Sequence, residues 1–176
     1  INCPDCWKPC GELAAMLPEA DHKDDDLKPI RVEITVPVEP EYAFEAFTNG
    51  FGNWWPTDSH SLARENCKSV EINPGLGGRI VEHAKGRDPV VWGTVDIWQV
   101  GEHIAFTWHP GWEEGAYTRI SVTFEQNAFG RCVIRLKHWD WKNLGEIAPM
   151  VRDGYESGWK YVFEQCFANY LTAKRH

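Results

Sequence analysis

The chain has 176 residues, 43% apolar and 25% charged, which suits one domain with a sizeable core and excludes a largely disordered polypeptide. Its formal net charge of −8 argues against a protein that grips nucleic acid by neutralising phosphates, and against a basic membrane-surface helix. No apolar run approaches the roughly 20 residues that span a bilayer, so neither nucleic acid nor membrane is an expected partner.

Residues 1–29 hold seven acidic side chains against three basic ones, half of the net negative charge in a sixth of the chain. The acidic run from Asp21 to Asp26 ends at Lys28-Pro29, and periodic patterning starts at Ile30. The sequence therefore divides into an appended extension, 1–29, and a domain, 30–176, with one short helix expected over Gly11 to Leu17. Cys3, Cys6 and Cys10 form C-x-x-C-x-x-x-C, a spacing that lets thiolates converge on one soft ion such as zinc. A closed tetrahedral site needs a fourth ligand, from His22 or from a second chain. The plainer reading is a reduced, metal-free tail. Cys67, Cys132 and Cys166 are isolated and read as small buried hydrophobes. Nothing points to an oxidising compartment, so a cytoplasmic setting is expected.

Arg31 to Val36 alternates polar and apolar residues, as a strand with one buried face does. Pro40 suits the first turn of a helix, and Tyr42, Ala43, Phe44, Ala46 and Phe47 give it an apolar stripe. A second short helical turn follows from Phe51 to Pro56, carrying Trp54 and Trp55. Strand patterns recur at 68–73, 78–84, 90–98, 103–109, 117–125 and 131–138, separated by turn chemistry such as Asn73-Pro74-Gly75 and Asn127 to Gly130. Such short connections favour antiparallel neighbours. From Gly145 to Lys174, apolar residues at three- and four-residue steps predict one long amphipathic helix. The economical arrangement is an α+β fold: a curved antiparallel sheet of about seven strands around that C-terminal helix, with two short helices after the first strand.

Several segments carry a resemblance: Trp54-Trp55-Pro56, Gly77 to Glu82, Trp92-Gly93-Thr94-Val95, Phe106 to Gly111, His138 with Trp141, and Arg152 to Trp159. Together, over about residues 30–172, they resemble homologues of the C-terminal domain of the heat-shock-protein ATPase activator, within the START-like (SRPBCC) superfamily. The resemblance implies the helix-grip fold, with a deep cavity between sheet and helix. It also implies the binding of hydrophobic or aromatic small molecules, and some relatives catalyse cyclisation, dehydration or hydrolysis. The cysteine-bearing extension departs from the pattern. So does Trp139, which suggests altered packing near the cavity mouth.

Strand alternation predicts which side chains face inward. Cys132, Ile134, Leu136 and His138 form one row, and Ile120, Val122 and Phe124 match it. Ile104, Phe106 and Trp108 share a face, and Trp92, Thr94, Asp96 and Trp98 are expected to share another. Val151, Tyr155, Trp159 and Val162 should point from the helix to the sheet. Ten tryptophans are many for this length, and Trp54, Trp55, Trp92, Trp108, Trp141 and Trp159 can form a box for a flat apolar ligand or simply fill the core. Phe124, Tyr155 and Arg152 join them as candidate ligand contacts. Arg152 would hold a ligand carboxylate or pair with Glu82. His138 reads as an acid or base working with Glu82, or as a structural histidine bonded to its surroundings.

Three functions follow. The first is binding of a hydrophobic or aromatic small molecule in an internal cavity. The second is an enzyme using the same cavity for acid–base chemistry with His138. The third is a co-chaperone-like interaction module, which the short acidic extension supports poorly. The resemblance leaves both monomer and homodimer open.

Overall fold

The computed structural model describes residues 27–173. Cys3, Cys6, Cys10, His22 and the helix expected over 11–17 lie outside the described residues.

The sheet has seven strands: β1 (Ile30–Val36), β2 (Cys67–Ile72), β3 (Arg79–Ala84), β4 (Val90–Gln99), β5 (His103–Trp108), β6 (Thr118–Gln126) and β7 (Cys132–Trp139). Every neighbouring pair is antiparallel, in the order β1-β7-β6-β5-β4-β3-β2. β1 buries every second residue, and its register places Ile30 beside His138 and Val36 beside Cys132. β6 continues the row, with Ile120 opposite His138 and Phe124 opposite Ile134. The inward rows expected for β5, β6 and β7 are all buried. Helix α1 (Pro40–Thr48) starts on Pro40, whose fixed φ and missing N–H suit a first turn. It buries Phe44 and Phe47 against the sheet, and the short α2 (Phe51–Trp54) follows it.

β4 departs from the expected alternation. Its register slips once against β3, between Ile80 and Val81, and once against β5, between Val95 and Ile97. Each irregularity breaks the two-residue period, so Trp92, Thr94, Asp96 and Trp98 do not share a face. Trp92 is buried and Trp98 packs edge-on against Phe44 at 5.2 Å. Asp96 instead pairs with Arg119, and the Thr94 amide donates to Thr107 Oγ1 at 3.0 Å. Beside Trp92, the backbones of β4 and β5 come so close that a Cβ on Gly93 would lie 1.8 Å from the Thr107 carbonyl oxygen. Only glycine fits there.

After β7 the chain turns through Asp140 in the left-handed region (φ 72°) and enters a 3₁₀ segment, Trp141–Ile147. Helix α3 (Ala148–Trp159) then leads into a wider π-helical segment (Lys160–Phe167) and ends in α4 (Ala168–Ala173). The widening shows in the amide of Ala168, which reaches back five residues to the Phe163 carbonyl. The sequence period predicts a uniform helix because the change of winding still leaves Val162, Phe163, Phe167 and Leu171 buried. The result is a curled sheet holding a long C-terminal helix, the helix-grip arrangement. No helix among the described residues is long and apolar enough to cross a membrane.

Candidate binding site between sheet and helix

Four indoles, Trp55, Trp92, Trp108 and Trp159, meet where α2, β4, β5 and the C-terminal helix converge, with Trp54 against Trp55 on one side and Trp141 reached through His138 and Tyr155 on the other. Trp54, Trp55, Trp92, Trp108, Trp141 and Trp159 are each at most 5% exposed. Trp55 is the hub: its ring lies 5.7 Å from Trp92, 5.8 Å from Trp108 and 6.0 Å from Trp159. Trp92 and Trp108 meet edge to face at 5.5 Å. These are the separations and tilts that aromatic quadrupoles favour. Trp54 belongs to a neighbouring group with Phe47, Phe51 and Phe167. Phe124 sits further along the sheet against Phe44 and Phe47.

A chain of hydrogen bonds runs through this apolar interior. Trp159 Nε1, which can only donate, gives its proton to His138 Nδ1 at 3.0 Å. The imidazole proton is therefore on Nε2, facing Thr118 Oγ1 at 2.7 Å, and Thr118 donates onward to the Trp108 carbonyl at 3.2 Å. The Trp108 indole donates to the Tyr155 hydroxyl at 3.0 Å. His138 is wholly buried. Desolvation, with the Arg152 charge adding to it, holds its pKa well below the ordinary imidazole range. It is a neutral imidazole with both nitrogens occupied. In this geometry the two ring nitrogens bridge Thr118 and Trp159.

Glu82 is not a partner of His138 or of Arg152. Its carboxyl oxygens accept the amide of Leu62 at 2.9 Å, the amide of Ala63 at 2.8 Å and Trp92 Nε1 at 3.0 Å. The side chain thus ties the 56–63 loop to β3 and β4. The loop closes on itself through Trp55 Nε1 to the His60 carbonyl at 2.7 Å. His60 also stacks on Tyr161 of the π-helical segment at 5.4 Å. Burial, with the nearby Arg64 charge adding to it, lowers the His60 pKa to about 4. The Arg152–Glu82 pair expected from sequence does not form. Arg152 Nε instead donates to the Lys28 carbonyl at 2.6 Å, and Nη1 faces Glu156 at 3.2 Å. Trp139 lies on the outer face, with Lys137 Nζ 4.5 Å over its ring.

Trp55, Trp92, Trp108, Trp159, Tyr155 and His138 come together as expected, with Trp141 against His138 at 4.2 Å. The sequence reading misses Thr118, although a signal exists: it is the one hydroxyl in the inward row of β6. His60 and Tyr161 carry no such signal, since one lies in a loop. Among the described residues, the buried His109 Nε2 and Trp141 Nε1 make no hydrogen bond. Among the described residues, no cluster of three or more His, Cys, Asp or Glu is placed to hold a metal ion.

Solved structures share this fold at low identity. One is the Aha1 dimer from Colwellia psychrerythraea, with TM-score 0.60, 17% identity, and coverage of 85% of this chain and 100% of that one. Another is described as the anthrahydroquino-gamma-pyrone synthase Txn09 complexed with SUM, with TM-score 0.56, 22% identity, and coverage of 84% and 99%. A third is Ara h 8.0201, with TM-score 0.56, 17% identity, and coverage of 84% and 99%. No curated protein matches. The family model described as "Activator of Hsp90 ATPase homolog 1-like protein" matches residues 37–172, and the chain belongs to that family.

Proposed function

We propose that the protein binds a flat, hydrophobic or aromatic small molecule between the sheet and the C-terminal helix. The observation that carries this reading is the cluster of four buried indoles, Trp55, Trp92, Trp108 and Trp159, in mutual contact in the interior, while β1 and β7 supply mostly aliphatic side chains. Aliphatic residues fill a core without polar atoms to satisfy, whereas indoles present broad faces on which a planar ring stacks. The shared fold adds support, since one neighbour is described as a synthase complexed with SUM. A guest enters by parting Trp55 from Trp92, Trp108 and Trp159. The segment that lifts is the 56–63 loop, which holds the Trp55 indole at one end and Glu82 at the other. The cysteines described, Cys67, Cys132 and Cys166, are free thiols, and a reducing, cytoplasmic setting is part of the same proposal.

The test is a titration with 1-aminoanthracene, a neutral planar fluorophore that absorbs where tryptophan emits. Saturable quenching of tryptophan emission at one molecule per chain is the expected result. Quenching that is absent, or that rises linearly without saturating, contradicts the proposal.

A further inference from the structure

Of the six core indoles, five donate within the protein: Trp54 to the Ala46 carbonyl, Trp55 to the His60 carbonyl, Trp92 to Glu82, Trp108 to Tyr155 and Trp159 to His138. Trp141 Nε1 does not, and Trp141 is 0% exposed. A buried donor without an acceptor costs about 1–3 kcal/mol, and native interiors rarely leave one. The ring is also held in place. Asp140 occupies the left-handed region at φ 72°, which Asp tolerates better than most residues with a side chain, and it turns the chain from β7 into the 3₁₀ segment. Two residues on, Asn143 Nδ2 donates to the Tyr117 carbonyl at 2.8 Å. An orphaned donor on a wholly buried ring held in this way calls for a partner from outside the described residues.

The surroundings of Trp141 restrict what can satisfy it. The neighbouring rings are His138 at 4.2 Å and Tyr155 at 6.0 Å. Both imidazole nitrogens are engaged, and the Tyr155 hydroxyl already accepts from Trp108. A ligand hydroxyl would bring a proton that needs an acceptor of its own. A carboxylate would be a buried charge facing a neutral donor, since the Arg152 guanidinium is turned to Lys28 and Glu156. A neutral oxygen that only accepts fits both constraints. We propose that the ligand is an aromatic ketone, whose carbonyl oxygen accepts the Trp141 Nε1 proton while its rings lie among the other indoles. This rests on the binding reading above.

The experiment compares 9-fluorenone with fluorene, two tricycles of similar shape that differ by the carbonyl. Affinities are read by displacement of 1-aminoanthracene, and contacts by the indole N–H region of a ¹H–¹⁵N spectrum. The expected result is about tenfold tighter binding of fluorenone, the typical value of one added buried hydrogen bond. The Trp141 indole proton should shift downfield with fluorenone and not with fluorene. In Trp141→Phe the preference should fall to about one. If both compounds bind the wild-type protein and the Trp141 proton responds to neither, the ketone proposal is overturned and the binding reading stands. If neither compound displaces the probe or moves any indole signal, while the probe itself saturates, the site takes other planar molecules and the ketone assignment is wrong. Failure of the probe to bind overturns both. The wild-type spectrum decides between these outcomes even if the variant does not fold.

Discussion

His138 shows how a titratable group serves structure by staying neutral. Its two nitrogens join Trp159 to Thr118 inside an aromatic wall, an arrangement that protonation would break by turning Nδ1 into a second donor. Its folded-state pKa is depressed, so below the unfolded value of about 6.5 the unfolded chain binds the extra proton. The stability linked to His138 is fully present above that value and is lost as pH falls, by up to about 1.4 kcal/mol per pH unit. His60, lowered to about 4, acts in the same direction between these values. Urea unfolding at about pH 7.5 and about pH 5.5 should show this loss, with a shallower slope in His138→Asn. An imidazole signal of His138 that titrates near the ordinary value in the folded protein would contradict the assignment.

At the scale of elements, Glu82 sets the position of the loop over the interior. The sequence suggests a proton carrier and the structure shows an anchor, because its partners Leu62 and Ala63 lie twenty and nineteen residues away in sequence. Glu82→Ala leaves two amides and the Trp92 indole without an acceptor. At about 1 kcal/mol or more each, the melting temperature should fall by about 10 °C, and the Leu62 and Ala63 amides should exchange faster with solvent. Unchanged exchange at those two amides would show that the loop is held by other means. Strand positions are legible within a residue or two because a half-buried strand writes a two-residue period. That period misplaces Thr94 and Asp96 because the slips in β4 leave no mark in it. The π-helical winding is hidden for a similar reason, as its inward residues keep their spacing. The rings that meet are readable from alternation, but the orphaned proton of Trp141 depends on where its neighbours' hydrogen bonds end. No one-dimensional pattern records that.

At the scale of the molecule, the fold assigns a place for function and leaves the chemistry to the side chains. The same curled sheet and helix underlie structures described as a synthase and as the Aha1 dimer, at identities where the fold alone is shared. In this chain the polar groups of the interior are mostly bonded to one another, and the chain is acidic overall at −8. An occupant that is planar, uncharged and mostly apolar suits both facts, because it stacks without demanding a buried counter-charge. The most direct measurement is a crystal structure of the protein grown with 9-fluorenone. Density for the tricycle between the sheet and α3, with Trp55 moved off Trp108 and Trp159, is the expected result. Trp55 in its present contacts with Trp92, Trp108 and Trp159, with the compound absent or only on the surface, would contradict it.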